Sequence, residues 1–114
     1  MNDKTLVIVD AGHGGIDSGA VGNNLKEKDL TLEAAKYMFN RLQDLGINTV
    51  MTRTDDEYLP KRDRINRILS LYNNNPNTLI ISNHINAGGG EFTYHYIIWL
   101  GIKTAVFEWF IYIV

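Results

Sequence analysis

The sequence predicts an α/β domain with a mostly parallel sheet flanked by helices. Three observations lead there: short β-branched runs at residues 5–10, 47–52 and 78–82, helical apolar periodicity between them, and short links joining each to the next. Residues 5–10 (TLVIVD) form a first, buried strand. The glycine-rich stretch 11–28 lacks apolar periodicity and reads as a long loop, a length that inside small domains is usually functional. Asp29 is placed to cap a helix carrying Leu30, Leu32, Ala34, Ala35, Met38, Phe39, Leu42 and Leu45, with Gly46 as its stop. After the second strand, Pro60 suits the first turn of a second helix with Ile65, Ile68, Leu69 and Tyr72 on one face. Asn73-Asn74-Asn75-Pro76 ends it, and the third strand leads straight into Asn83-His84.

Composition limits the function classes. The 114 residues are 45% hydrophobic and 21% charged, ordinary for one folded domain. A formal charge of -2 offers no basic excess for nucleic acid. With no cysteine, any metal must be held by His, Asp or Glu. The amino terminus lacks the basic, apolar and small-residue pattern of a secretory signal, so synthesis in the cytoplasm is expected.

In parallel sheets of this kind, reactive groups gather beyond the carboxyl ends of the strands. His13, between glycines in Asp10-Ala11-Gly12-His13-Gly14-Gly15, lies past the first strand, and His84 lies at the end of the third. Each alone is an ordinary turn or strand-end histidine. Together with one carboxylate they form a recurrent ligand set for catalytic zinc, whereas calcium or magnesium asks for more oxygens. Among Asp17, Glu27 and Asp29, Glu27 is the best third ligand by position, closing the long loop just before the first helix. Asp10 is placed to accept a hydrogen bond that orients an imidazole. A phosphate cradle is the weaker reading of the glycine-rich loop, because no lysine occupies the phosphate position and no helix follows directly. Spacing alone carries the reading to a metal site.

Three ordered motifs then identify a family. Val9-Asp10-Ala11-Gly12-His13-Gly14-Gly15-Ile16-Asp17-Ser18-Gly19-Ala20, Leu25-Lys26-Glu27-Lys28-Asp29 and Ser82-Asn83-His84-Ile85-Asn86-Ala87 resemble the zinc-dependent N-acetylmuramoyl-L-alanine amidases of the amidase-3 type. Thr52-Arg53-Thr54 and the Arg62/Arg64 region are similar to that family as well. The resemblance covers roughly residues 5–90. It implies an amidase-3-like fold, Zn²⁺ held by His13, Glu27 and His84, and peptidoglycan as substrate. The implied reaction is hydrolysis of the amide between N-acetylmuramic acid and L-alanine, carried out on the wall after release or lysis. The alternative is a zinc-binding or wall-binding module without hydrolytic activity.

The tail departs from the family. Residues 92–114 hold both tryptophans and most of the aromatic side chains, with only Lys103 and Glu108 as charges. Amidases of this type carry a catalytic glutamate late in the domain. Here only Ala105-Val106-Phe107-Glu108 echoes that strand, making Glu108 the candidate general base. Glu91 and His95 are weaker candidates, for base and for ligand respectively. The expectation is a domain incomplete at its C-terminus, by frame shift or truncation, with residues 1–91 holding the zinc-site region and no separate wall-binding domain. Residues 96–114 approach the length of a membrane span, but Lys103 and Glu108 within it disfavour insertion. Strands packed against the sheet are expected instead.

Overall fold

A computed structural model describes residues 4–88, 91–100 and 110–113, with side chains described through residue 85. The chain order is β1 (Leu6–Ala11), β2 (Val21–Gly22), β3 (Leu25–Lys26), α1 (Glu27–Asp44), β4 (Asn48–Met51), α2 (Lys61–Tyr72), β5 (Thr78–Gly88), β6 (Glu91–Leu100) and β7 (Phe110–Ile113). One sheet has the order β4-β1-β5-β6-β7, and β2 and β3 form a separate hairpin. The β4-β1-β5 part is parallel, while β6 and β7 add antiparallel strands beyond β5.

Alternation along β1 assigns its two faces to the two helices. Val7, Val9 and Ala11 pack with Ala35, Leu32, Met38 and Leu42 of α1. Leu6, Ile8 and Ile80 pack with Ile68, Leu71 and Tyr72 of α2 on the other side. Every residue of β1 is buried, as expected of a central strand covered by helices on both faces. The predicted α2 face is only half engaged: Ile68 and Tyr72 reach the core, whereas Ile65 and Leu69 are exposed. No helix among the described residues is long and apolar enough to cross a membrane.

Strand order explains where the site lies. From β1 the chain crosses through α1 to β4 on one side, then through α2 to β5 on the other. The direction reverses at β1, and at such switch points binding sites gather beyond the carboxyl ends of the flanking strands, here β1 and β5. Ala11 pairs with Asn83, the last parallel pair, and the Gly12 amide bonds the Asn83 carbonyl at 3.0 Å. His84 therefore emerges beside Gly12 and His13.

Local differences from the sequence reading have physical causes. Helix α1 starts at Glu27, and Asp29 sits in its first turn rather than at a cap. Instead of a capping side chain, the Ala20 and Ser18 carbonyls accept from the Glu27 and Lys28 amides, at 2.9 and 3.0 Å. Glu27 and Asp29 lie at the positive end of the helix dipole. Pro60 falls at the N-cap of α2, one residue before the helix. Residues 11–28 are not one open loop, because β2 and β3 pair across Asn23 and Asn24. Both asparagines take positive φ, as tight hairpin turns require. Strand β5 runs six residues past Ser82 because β6 supplies partners from Leu79 through Gly88.

Candidate metal centre

The centre is assembled from three separated stretches. His13 follows β1, Glu27 opens α1, and His84 lies on β5 just past the last parallel pair. His13 Nε2 lies 3.0 Å from Glu27 Oε1, and His84 Nδ1 lies 3.3 Å from the same oxygen. The imidazole rings meet edge to face with centroids 5.1 Å apart. One donor atom from each residue falls within 4.8 Å of the other two.

This arrangement fits a small divalent ion. Two ligands each about 2.0–2.2 Å from a tetrahedral zinc stand roughly 3.3–3.5 Å apart, close to the separations from Glu27 to each histidine. Glu27 is buried at 3% exposure, and its carboxylate is tied in place by the backbone. Its Oε2 accepts from the Ala20 amide at 2.8 Å, and Oε1 accepts from the Ile85 amide at 2.8 Å. Burial pushes the His84 imidazole below its usual pKa, against the pull of the Asp10 and Glu27 carboxylates, with His13 adding to the depression. The neutral ring is the form that donates a lone pair to a metal.

The loop that carries His13 is held from beneath by two arginines. Arg53, 2% exposed, donates to the carbonyls of Ala11 at 3.1 Å, Gly12 at 2.9 Å, Lys28 at 2.9 Å and Asp55 at 2.8 Å. Arg64 donates to the Ala11 carbonyl at 2.7 Å and the His13 carbonyl at 2.8 Å. Thr31 adds a 2.7 Å bond to the Gly12 carbonyl. On the outer side, Lys28 joins the Gly15 carbonyl to Asp56, whose carboxylate also accepts from the Gly15 amide. These contacts hold His13 at φ 61°, a left-handed conformation that a residue with a Cβ adopts only when its surroundings enforce it.

Asp10 has a different role from the one expected. Its carboxylate takes bonds from Thr52 at 2.7 Å, Ser82 at 2.6 Å and Arg64 at 2.5 Å, none of them an imidazole. Its side chain lies on the α2 face of β1, and it acts on His84 only through its charge. The acceptor on an imidazole is Asp17, whose Oδ2 lies 2.9 Å from His13 Nδ1. Burial raises the Asp17 pKa, but bonds from His13 and the Gly19 amide outweigh it and hold the carboxyl below its usual value. The sequence signal for Asp17 was its spacing of four from His13 inside a glycine turn. Arg53 and Arg64 were visible only as parts of a resemblance. Glu108 lies outside the described residues, and of Glu91 and His95 only the backbone is described.

Two glycines set the clearance around the ligands. A Cβ on Gly12 would stand 2.6 Å from His84 Cε1, and one on Gly19 would stand 2.5 Å from Glu27 Oε2 and 2.6 Å from His13 Cδ2. Gly19 also has φ +64°, so Gly19→Ala combines backbone strain with displacement of two ligands. That variant is expected to lose at least about 1 kcal/mol of stability and to bind metal more weakly, measured by metal-free melting and chelator competition.

Comparison with known proteins agrees with this geometry. The family model for N-acetylmuramoyl-L-alanine amidase matches residues 7–99, running past the tail boundary set from composition. The sporulation-specific N-acetylmuramoyl-L-alanine amidase of Bacillus subtilis is 40% identical over 86 residues, 74% of this chain and 32% of that protein. The amidase AmiC2 of Nostoc punctiforme superposes with a TM-score of 0.66 at 32% identity, over 80% of this chain and 49% of that one. An amidase from Clostridium difficile 630 gives a TM-score of 0.66 at 35% identity, over 79% of this chain and 48% of its own. The chain thus spans between about a third and a half of the length of these relatives. The matched segment contains the His13 loop, the strand that carries His84, the helix that begins at Glu27 and both arginines, and by that match the chain belongs to the N-acetylmuramoyl-L-alanine amidase family.

Proposed function

We propose that this chain holds Zn²⁺ through His13, Glu27 and His84 and hydrolyses the amide between N-acetylmuramic acid and L-alanine in peptidoglycan. The observation that carries the reading is the convergence of two imidazole nitrogens and one buried carboxylate at the switch point of a sheet of this family. Bound there, zinc supplies Lewis acidity, which polarises an amide carbonyl and activates water near neutral pH.

The chain's own groups set the conditions for that chemistry. His13 and His84 would supply nitrogen donors, and the Glu27 carboxylate, held by the Ala20 and Ile85 amides against rotation, would supply an oxygen. A donor set of two nitrogens and one oxygen would leave zinc a position for substrate or water, as in hydrolytic rather than structural zinc sites. His13 and His84 are only half buried, which supports access of a polymeric substrate to that position. The encounter with peptidoglycan is proposed to follow release or lysis.

The test is release of soluble peptides from purified cell wall, abolished by a chelator and restored by zinc. Zinc bound without release contradicts hydrolysis and leaves a binding module. Release that survives Glu108→Gln removes Glu108 as the proton acceptor.

A further inference from the structure

We infer that Asp17 is the positioning residue of the metal centre, holding the His13 proton on Nδ1 so that Nε2 keeps its lone pair for the metal. The inference rests on the reading of His13, Glu27 and His84 as zinc ligands and adds a residue to it.

The geometry assigns each atom. An ionised carboxylate only accepts hydrogen bonds, so the 2.9 Å contact with Asp17 Oδ2 calls for a proton on Nδ1. Nε2, on the opposite side of the ring, is the nitrogen 3.0 Å from Glu27 Oε1. The carboxylate's other oxygen, Oδ1, accepts from the Gly19 amide at 3.1 Å. The Asp17 backbone is fixed as well, exchanging bonds of 2.9 and 3.0 Å with Gly14. One side chain therefore ties the start of the turn at His13 to its end at Gly19. Gly19 in turn packs against both His13 and Glu27. Asp17 sets the tautomer of one ligand directly and the spacing of two through the turn. Carboxylate partners of this kind orient metal-bound imidazoles and raise their basicity.

Asparagine is the informative replacement. Its single carbonyl oxygen can accept from His13 or from Gly19, but not from both, and its amide would then face the remaining donor. If the amide faces Nδ1, the ring proton moves to Nε2 and blocks the metal side. Asp17→Asn is therefore expected to weaken zinc binding about 10–100-fold in chelator competition, with little change in the melting temperature of the zinc-free chain. A second measurement needs no variant. Long-range nitrogen-15 correlation on the zinc-loaded wild-type chain is expected to find the His13 proton on Nδ1.

Zinc affinity of Asp17→Asn within twofold of wild type, or an Nδ1 without a proton in the zinc-loaded chain, overturns the inference. His84→Ala separates this from the parent reading. Loss of zinc binding in His84→Ala with unchanged binding in Asp17→Asn removes only Asp17. Undiminished binding in His84→Ala removes the zinc reading, and the role of Asp17 with it.

Discussion

Replacing Glu27 with alanine is expected to lower zinc affinity by more than about 100-fold, beyond the usual cost of losing an outer partner. Release of wall peptides is expected to fall below detection. Three effects act together in this variant. The proposed metal centre loses its carboxylate, the two histidines lose the oxygen between them, and the Ala20 and Ile85 amides lose their acceptor. Glu27→Gln retains the shape, but its one carbonyl oxygen cannot serve the metal and both amides, so it is expected to recover little. A melting experiment gives the same answer without substrate. Zinc at a thousand times its dissociation constant is expected to stabilise the wild-type chain by about 4 kcal/mol, and that increment is expected to vanish in Glu27→Ala. An equal zinc-dependent rise in both proteins would contradict the assignment of Glu27.

The second large effect is expected at Arg53, which makes no contact with the proposed ligand atoms. Its guanidinium is buried and joins four backbone carbonyls drawn from the His13 loop, the first turn of α1 and the segment after β4. Burial lowers its pKa, and the neighbouring Arg64 adds to the effect. Arg53→Ala removes this donor from all four carbonyls, of which Ala11 keeps Arg64 and Gly12 keeps Thr31, and opens a cavity beneath the loop. A loss on the order of 3 kcal/mol or more is expected, a large share of the stability of a domain this size. Arg53→Lys is expected to rescue little of it, because an ammonium cannot reproduce the planar fork. Thermal or urea unfolding of the zinc-free proteins measures both. A change of less than about 1 kcal/mol in Arg53→Ala would mean that the loop is held chiefly by Arg64 and Thr31.

Much of this arrangement was legible in the residues. The β-branched runs separated by helical periodicity reported the parallel sheet. Glycines around His13, and a histidine at a strand end, reported two groups converging beyond the sheet. Asp10 was misread because a carboxylate at a strand end looks free in sequence, whereas Thr52, Ser82 and Arg64 fill its acceptor sites from three other segments. The start of α1 was misplaced for a related reason. Its first amides are met by the Ala20 and Ser18 carbonyls, and a carbonyl leaves no trace in residue identity. The Asn23-Asn24 hairpin did leave a trace, since two adjacent asparagines suit positive φ. The full length of β5 depended on β6, a partner that local pattern does not reveal.

The most direct measurement is the position of the metal itself, by anomalous diffraction from crystals of the zinc-loaded chain. One zinc is expected within about 2.0–2.2 Å of His13 Nε2, His84 Nδ1 and Glu27 Oε1. A zinc ion bound elsewhere, or none retained at stoichiometric concentration, would contradict the metal centre and the hydrolysis proposed for it.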